Sequence, residues 1–465
     1  MPRAEFPSLG QHLAASGAAP GVMLQSARAS VVLSAIARGP SGRARALAGK
    51  SVLVLARDQL TSSVALRDLD GVVSRLVLCP PDFTKERLAS AIEQAEVEAI
   101  VGDDLVQELG INALAPFHDW RAPAEESDGE SISYGATEWV LPTSGTTGAP
   151  KLVAHSLAGL AGSIDATERR AKPLVWATFY DIRRYGGLQI FLRALIGGHT
   201  LQLTEQEESV ADHLTRCGVA GVTHLSGTPS HWRRVLMSPK MDAISPEYVR
   251  LSGEIADQAT LDALRFTYPA ARIVHAYAST EAGVGFEVTD GREGFPTSFV
   301  GKAGGVETRV VEGSLRIRSS RTALRYLGRD DIRLMDDDGF VDTDDRVELR
   351  GDRYYFLGRG AGVINVGGLK VHPEEVEQVI NLHDGVRMSL VKARRNPFTG
   401  DIIVADVVLK DVTSEADSSG RRAALRDEIF AVCRARLERH KVPVSISFVP
   451  SLEMGANGKL VRRRA

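Results

Sequence analysis

Short apolar runs alternate with segments of helical periodicity from about residue 51 to about residue 280. The first runs, "SVLVLA", "RLVLC" and "AIVGD", are rich in β-branched residues, and the helical patterns "QLTSSVALRDLDG" and "TKERLASAIEQAEVE" separate them. Strands that alternate with helices in this way form βαβ units around a parallel sheet. The alternation continues through "LVWATF", "VTHLSG", "YVRLSGE" and "ARIVHAYAS". It predicts an α/β fold with doubly wound sheets.

The pattern changes twice in the last third of the chain. From about residue 300, short strands separated by Gly and Asp turns, such as "ETRVVEGSLRIRSS" and "GFVDTDDRVELRG", predict an antiparallel or barrel-like section. After Arg359, a helix with Pro373 in its first turn, the strand "DIIVADVVLK" and a helix from about residue 421 to about residue 439 predict a compact α+β unit. A chain of 465 residues is therefore expected to contain more than one domain.

Composition excludes several classes of partner and location. The 56 basic and 59 acidic residues give a formal net charge of -3, and the basic residues cluster only at 462–464, so we expect no nucleic-acid partner. The three cysteines are far apart, which argues against a disulfide framework or a zinc site. No apolar run is long enough to span a bilayer and the N-terminus lacks a signal-like apolar segment, so we expect a cytoplasmic protein.

The stretch "LPTSGTTGAPK", residues 141–151, has the composition of a phosphate-binding loop. It follows a predicted strand, "EWVLPTS", and the carboxyl ends of strands are where open α/β sheets bind ligands. It is not a Walker A loop, because Ala149 and Pro150 separate the glycine from Lys151. Glycines can still turn backbone N–H groups toward an anion, while the hydroxyls and the lysine add donors and charge. A second glycine-rich stretch, "LGRGAG", has Val363 where a dinucleotide fingerprint needs its third glycine, so we exclude a dehydrogenase.

Four further stretches place polar residues where a nucleotide site would need them. "YASTEAG" puts Thr280 and Glu281 beyond a strand, and a carboxylate there suits Mg²⁺ bound to phosphates. "DTDDRVEL" offers Asp345 as an acceptor for ribose hydroxyls, and "GRGAG" opens with Arg359 at the inferred domain boundary. "NGKLVRR" leaves Lys459 beside a glycine near the end of the sequence. Each of these alone has an ordinary structural interpretation as a surface or turn residue.

Taken together and in this order, the motifs resemble the adenylate-forming superfamily of acyl-CoA synthetases, peptide-synthetase adenylation domains and luciferases. The resemblance runs from about residue 51 to the C-terminus, and its most specific pieces are "TSGTTGAPK", "YASTEAG", "INVGGLKVHPEEVE" and the late "GK". It implies a large domain, 1–357, made of two doubly wound subdomains and a small β-barrel, and a mobile α+β domain, 358–465. It also implies two half-reactions, in which a carboxylate and ATP give an acyl-adenylate and pyrophosphate, and a thiol then takes the acyl group.

The same resemblance assigns roles to residues of this sequence. Lys459 would bridge the attacking carboxylate and the α-phosphate, Thr280 would contact that phosphate, and Glu281 would bind Mg²⁺, with Thr147 as a second metal ligand. Asp345 would bind the ribose and Arg359 would assist it. The remaining nucleotide-binding and substrate-binding positions are Thr143, Ser144, Gly145, Thr146, Thr147, Gly148, Lys151, Ser252, Gly253, Glu254, Ala276, Tyr277, Ala278 and Ser279. The expected cofactors and cosubstrates are ATP, Mg²⁺ and CoA.

The identity of the acid and of the thiol stays open. Gly368 matches the glycine expected near a pantetheine thiol, which favours CoA or a carrier-protein phosphopantetheine without choosing between them. Ala278 replaces a common glycine and narrows the acyl pocket, which favours an aryl or short acid. Arg183 or Arg184 could pair with a carboxylate of the substrate, but we expect solvent-exposed arginines there. The alternatives are loading of a carrier protein, release of the adenylate to a partner enzyme, or a non-catalytic nucleotide-binding module.

Overall fold

A computed structural model describes most of the chain, namely residues 6–16, 21–36, 40–121, 135–143, 150–164, 173–205, 207–329, 332–366, 369–396, 400–410, 419–455 and 458–462. No helix within these ranges is long and apolar enough to cross a membrane. The thiols of Cys79, Cys217 and Cys433 are free and buried.

The helices of the first two-thirds of the chain are mostly crossovers between parallel strands. Side chains cap many of their first turns: Asp58 accepts hydrogen bonds from the backbone N–H groups of Leu60 and Thr61, for example. The helices within the described residues are α1 (Leu9–Ser16), α2 (Leu33–Ile36), α3 (Gly42–Arg45), α4 (Gln59–Leu69), α5 (Lys85–Gln94), α6 (Leu105–Glu108), α7 (Leu157–Ala161), α8 (Tyr185–Ile196), α9 (Val210–Val219), α10 (Pro229–Leu236), α11 (Gln258–Thr267), α12 (Pro373–Ile380) and α13 (Ser419–Arg436).

The first fourteen described strands form most of two large, mainly parallel sheets. They are β1 (Met23–Gln25), β2 (Ser30–Val32), β3 (Ser51–Leu55), β4 (Arg75–Leu78), β5 (Ala99–Gly102), β6 (Phe117–Asp119), β7 (Glu138–Pro142), β8 (Leu152–Ser156), β9 (Val175–Thr178), β10 (Thr200–Gln202), β11 (His224–Gly227), β12 (Tyr248–Ser252), β13 (Arg272–Ser279) and β14 (Gly283–Val288). These strands lie in the order β8-β7-β4-β3-β5-β6 in the first sheet, which gains a seventh strand at its β8 edge from a later segment. They lie in the order β14-β13-β12-β11-β9-β10-β1-β2 in the second sheet. Every residue of β3 and β5 is buried, as continuous apolar runs in parallel strands require.

A third sheet is antiparallel and follows the two parallel ones in the chain. The strands of this segment are β15 (Phe295–Pro296), β16 (Gly301–Ala303), β17 (Val306–Val311), β18 (Ser314–Ser319), β19 (Arg325–Leu327), β20 (Val341–Arg350) and β21 (Arg353–Arg359). Six of them form a sheet of order β15-β21-β20-β18-β17-β16, where the sequence predicts a barrel-like section. The exception is β19, which pairs with β8 and so ties this segment to the first sheet.

The last hundred residues have a sheet and a hydrophobic core of their own. The strands are β22 (Ile364–Val366), β23 (Leu369–Val371), β24 (Val386–Asn396), β25 (Gly400–Leu409) and β26 (Ser445–Phe448). The sheet has the order β23-β22-β25-β24, with β26 parallel to β25. Its core includes Val376 and Ile380 from α12 and Ile429 and Cys433 from α13. The predicted α+β unit is therefore present.

The two parallel sheets share one extended core. Helix α8 contributes Leu188, Phe191 and Leu195 to this core, which also contains buried residues of β3 and β4 from the first sheet and β9 and β10 from the second. The α/β class with doubly wound sheets, a smaller antiparallel section and a C-terminal α+β unit is confirmed. The predicted site residues 252–254 and 276–281 lie at the carboxyl ends of β12 and β13.

Candidate active site

The predicted site is built on the carboxyl ends of neighbouring parallel strands. Ser252 ends β12, and Gly253 and Glu254 form the turn after it. Ser279 ends β13, and Thr280 and Glu281 form the turn into β14. Ser252 is aligned with Ala276 in the sheet, so both turns lie at the carboxyl edge of these neighbouring strands. Gly253 adopts a φ of +87°, a conformation that favours glycine.

Asp345 is held by partners from two other strands. It lies on β20 opposite Arg359 of β21, and the Arg359 Nε is 3.2 Å from its Oδ1. The hydroxyl of Tyr277 donates to its Oδ2 at 2.5 Å. The Tyr277 ring stacks on Phe356 with centroids 5.4 Å apart and planes only 4° apart. This arrangement fixes the Asp345 carboxylate beside an aromatic ring.

Electrostatic effects connect these groups. Burial by itself would lower the pKa of Arg359. The negative charges of Asp345 and Glu281 have the larger combined effect, so the pKa is raised above its usual value. Burial raises the pKa of Tyr277 well above its usual value, and the charge of Asp345 raises it further. The tyrosine is therefore neutral and acts as a donor to Asp345 at physiological pH.

Lys459 of the C-terminal unit lies in the same site. Its Cε is 3.5 Å from the position that a β-carbon on Gly253 would occupy, and its Nζ is 4.0 Å from that position. Burial lowers the pKa of Lys459. The negative charges of Glu254, Asp345 and Glu281 oppose this shift, but the pKa stays below its usual value. A cation from the last residues of the sequence thus lies among three carboxylates of the larger unit.

A small set of contacts holds Lys459 at the site. The Thr228 hydroxyl, which caps α10, donates to the carbonyl of Gly458 at 2.8 Å. Gly458 has a φ of +72°, and a β-carbon there would lie 1.9 Å from Cε1 of His231. Burial, and to a smaller extent the charge of Arg234, lowers the pKa of His231 to about 3, so this ring is neutral. Position 458 therefore requires glycine for both its backbone conformation and its contact with the histidine.

Only the two ends of the predicted phosphate loop are described. The N–H of Thr143 donates to the carbonyl of Lys151 at 2.8 Å, which closes the base of the loop. The Lys151 Nζ lies 5.8 Å from the centroid of the Tyr326 ring. Burial raises the pKa of Tyr326 to about 12, and the charge of Glu281 contributes, so the loop base and Glu281 share this neighbour. The predictions for Ser144, Gly145, Thr146, Thr147, Gly148 and Gly368 lie outside the described residues.

The described part of the site offers few oxygen ligands for Mg²⁺. Within the described ranges, no group of three or more His, Cys, Asp or Glu residues is arranged to hold a metal ion. Mg²⁺ bound to a nucleotide takes most of its oxygen ligands from phosphates and water, and one or two carboxylates from the protein suffice. Glu281, beside Lys459 and Arg359, fits that requirement.

The expectation of solvent-exposed arginines before α8 is wrong for Arg183. Its side chain is buried, is paired with Asp181 at 2.6 Å and donates to the carbonyl of Ala56. Arg184 is half-buried and is paired with Asp82 at 2.7 Å. Both therefore have structural partners of their own. The sequence gave no signal for these pairings. Asp181 is close to Arg183 in the chain, but Ala56 and Asp82 lie on distant segments.

Sequence reasoning missed a different arginine. Arg250 lies on β12, two residues before Ser252 and on the same face, and only 3% of it is exposed. Its Nε donates to Oε1 of Glu287, on β14, at 3.0 Å. The polar residue at the centre of the otherwise apolar run "YVRLSG" was the available signal.

Comparisons with known proteins agree with this geometry. The profile of a family described as AMP-binding enzyme matches residues 72–318, and the profile described as AMP-binding enzyme C-terminal domain matches residues 375–459. A 2-succinylbenzoate–CoA ligase of Bacillus velezensis is 24% identical over 435 residues, which cover 88% of this chain and 81% of that protein.

Solved structures share the fold over nearly the whole chain. The anthranilate CoA ligase AuaEII in complex with anthranoyl-AMP superimposes with a TM-score of 0.80 and 16% identity, covering 98% of this chain and 96% of the other. The amide bond synthetase McbA from Marinactinospora thermotolerans gives a TM-score of 0.78 and 19% identity, covering 98% of each chain.

Proposed function

The chain belongs to the AMP-binding enzyme family, and on that premise we propose that it is an ATP-dependent carboxylic acid–thiol ligase that forms acyl- or aryl-CoA. In the first step the acid carboxylate attacks the α-phosphate of ATP, so that an acyl-adenylate forms and pyrophosphate leaves. In the second step the thiol of CoA attacks the acyl carbon, and the thioester forms as AMP leaves.

The observation that carries the proposal is the position of Lys459 among Glu254, Glu281 and Asp345. Two anions must approach each other in the first step, and a preorganised cation between them lowers that barrier. We propose that Lys459 contacts both the attacking carboxylate and the α-phosphate. Its partial desolvation strengthens this attraction, because water screens the charge less in such a site.

The other residues bind and orient the nucleotide in this proposal. Asp345 accepts hydrogen bonds from the ribose hydroxyls, with Arg359 and Tyr277 fixing the orientation of its carboxylate. Thr280 contacts the α-phosphate, and the loop from Thr143 to Lys151 binds the phosphates that leave. Glu281 would hold Mg²⁺, which neutralises phosphate charge when bound.

The choice of CoA as acceptor is supported by the relatives. The curated relative from Bacillus velezensis is a CoA ligase, and so is the structural neighbour AuaEII. McbA is an amide bond synthetase, so a similar fold also serves a different acceptor. We propose a small aryl or short-chain acid as the acyl donor, residues 358–465 as a mobile domain, and the cytoplasm as the location, where the three free thiols would stay reduced.

The test is pyrophosphate release across a panel of carboxylic acids, followed by mass spectrometry of the products formed with CoA. We expect both an adenylate and a CoA thioester for at least one acid. An adenylate without a CoA thioester would favour a carrier protein or a partner enzyme as acceptor. No consumption of ATP with any acid would favour a non-catalytic nucleotide-binding module.

A further inference from the structure

The basic run at 462–464 begins three residues after Lys459, and its first member is bound to helix α12. The Arg462 Nη2 donates to both carboxylate oxygens of Glu377, at 2.8 and 3.1 Å, and its Nη1 donates to Oε1 of Glu374 at 2.6 Å. Its Nε donates to the carbonyl of Val391, on β24, at 3.0 Å. Every nitrogen of this guanidinium group therefore has an acceptor. We call Arg462, Glu374 and Glu377 the tail clamp.

The tail clamp differs from an ordinary surface ion pair, which contributes little to stability. The side chains of Arg462, Glu374 and Glu377 are only 28%, 24% and 13% exposed. Oε1 of Glu377 also accepts from the backbone N–H of Val391 at 2.7 Å, which fixes the carboxylate that binds the arginine. Charge-assisted hydrogen bonds to two partly buried carboxylates are among the stronger contacts in proteins. The tail clamp therefore holds position 462 firmly against α12 and β24.

The chain between Lys459 and Arg462 leaves little freedom between the two residues. Only two residues separate them in the sequence. The N–H of Val461 donates to the carbonyl of Glu453 at 3.0 Å, and the N–H of Gly455 donates to the carbonyl of Lys459 at 2.8 Å. These hydrogen bonds join the segment that carries the lysine to the chain just before it. A displacement of Arg462 would therefore be transmitted to Lys459.

Glu374 also brings the tail clamp to the boundary with the larger region. Its Oε2 lies 2.2 Å from the position that a β-carbon on Gly358 would occupy, and Gly358 has a φ of +129°. Gly358 precedes Arg359 at the end of β21. The acidic partner of Arg462 thus packs against the strand that carries Arg359, the proposed assistant in ribose binding.

Lys459 is consequently held from both sides, but by different parts of the molecule. On one side, the Thr228 hydroxyl of the larger region donates to the carbonyl of Gly458. On the other side, Arg462 binds Glu377 within the C-terminal unit itself. A rotation of the unit must break the first contact, whereas the second can persist.

We propose that Arg462 is a positioning residue for the adenylation step, which fixes the tail so that the Nζ of Lys459 meets the reacting groups when the C-terminal unit is docked. Arg462 acts through Lys459 and has no part in the thioester-forming step. This inference rests on the proposed ligase function, because it assigns a supporting residue to the same site.

The first test measures the two half-reactions separately in Arg462→Gln, with the acid of the panel that releases most pyrophosphate. We expect kcat for ATP–pyrophosphate exchange to fall about 10- to 100-fold, because a misplacement of about 1 Å at a reaction centre costs up to that factor. Thioester formation from the synthetic adenylate of that acid and CoA should keep the wild-type rate. An equal loss in both half-reactions would indicate a merely structural role and would overturn the inference.

The second test combines Arg462→Gln with Lys459→Ala. If Arg462 acts through Lys459, its replacement in the Lys459→Ala background should lower exchange by less than about 2-fold, since coupled residues are not additive. Arg462→Lys should restore part of the activity, because lysine keeps the charge but lacks the fork that binds two carboxylates. The matched control is Arg436→Gln, an exposed arginine of α13, which should retain full activity. A full further loss in the double variant would refute the positioning role.

Hydrogen exchange needs no substrate and separates this inference from the ligase proposal. In Arg462→Gln, peptides that contain Gly455 and Val461 should exchange at least about 10-fold faster than in the wild type, because hydrogen bonds to a charged group contribute about that factor to local opening. Peptides from β3 should keep their protection. If no acid releases pyrophosphate but this exchange is faster, the ligase proposal fails and the tail clamp stands. Unchanged exchange would refute the tail clamp even if the enzyme is an active ligase.

Discussion

The sheets of residues 23–359 and the C-terminal unit contribute to the candidate site in different ways. The larger region positions its groups through strand pairing and packing: Asp345 and Arg359 are cross-strand partners, and Tyr277 stacks on Phe356. The C-terminal unit has a separate core and reaches the site through a few contacts near Gly458 and Lys459. The proposed nucleotide-binding groups therefore lie on paired strands of the larger region, whereas the proposed reacting charge, Lys459, belongs to a unit with a separate core.

This difference suits a reaction in two steps. A unit with its own core can change its orientation without unfolding, since it breaks only its interface with the larger region. The proposed first step needs Lys459 at the site, and the proposed second step needs room for a thiol. The following variants test whether the two regions contribute separately to activity.

Replacing Lys459, the proposed reacting cation, should have the largest effect on activity. We expect Lys459→Ala to lower the rate of adenylate formation by about 10²- to 10³-fold, as the loss of other preorganised transition-state contacts does. The measurement is ATP–pyrophosphate exchange with saturating acid. Lys410→Ala, an exposed lysine of the same unit, is the matched control and should retain full activity. Full exchange activity in Lys459→Ala would contradict the proposed mechanism.

Disturbing the contact that holds Lys459 should have the next largest effect. Gly458→Ala would place a methyl group against His231 and would strain a backbone with φ of +72°. We expect pyrophosphate exchange to fall about 10- to 100-fold while ATP binding, measured by calorimetry, stays unchanged. The control is Gly420→Ala, where a β-carbon would meet no atom within 4 Å. A loss of ATP affinity instead would show that the two regions do not act separately.

Changing the scaffold should weaken binding more than it slows chemistry. Asp345→Asn removes the charge that faces Arg359 and the proposed ribose, so we expect KM for ATP to rise about 10-fold with a small change in kcat. The neighbouring Asp344→Asn is the control, because Asp344 has a φ of +59° that asparagine tolerates. A fall in kcat with unchanged KM would contradict the assignment of Asp345 to nucleotide binding.

The smallest effect on activity should come from Asp70, which belongs to the scaffold alone. Its carboxylate accepts from the N–H of Leu9 at 2.8 Å and from the Trp139 indole at 2.9 Å. Burial raises the pKa of Asp70 to about 6, although both hydrogen bonds oppose this. Between about pH 4 and pH 6 the folded protein therefore binds more protons than the unfolded chain, so this group lowers stability as pH rises through that window.

Asp70→Asn should remove this contribution. The free energy of unfolding at pH 7 minus that at pH 4, measured with urea, should be higher in Asp70→Asn than in the wild type by up to about 3 kcal/mol. Activity per folded molecule should not change. Asp337→Asn, an exposed carboxylate, serves as the control and should leave the pH dependence as it is in the wild type. An unaltered pH dependence in Asp70→Asn would mean that Asp70 titrates normally.

Much of the fold and part of the site could be predicted from sequence because their signals are local. The run of β3 and the capped helix α4 are each specified by neighbouring residues, as is the turn that carries Thr280 and Glu281. Arg183 shows the limit of such reasoning. Its pattern indicated a solvated side chain, and the fold instead buries it against Ala56, 127 residues away.

The alternation of strands and helices, the order of the motifs and the residue types that can bind phosphate, ribose and Mg²⁺ could all be read from the amino-acid sequence. Each of these depends on periodicity or spacing within short segments. The three-dimensional fold was needed to show that Gly458 contacts His231, that Lys459 lies near Glu254, and that Arg250 pairs with Glu287. These contacts join segments that are distant in the chain, so their geometry follows from how the sheets pack and pair, which no local pattern specifies.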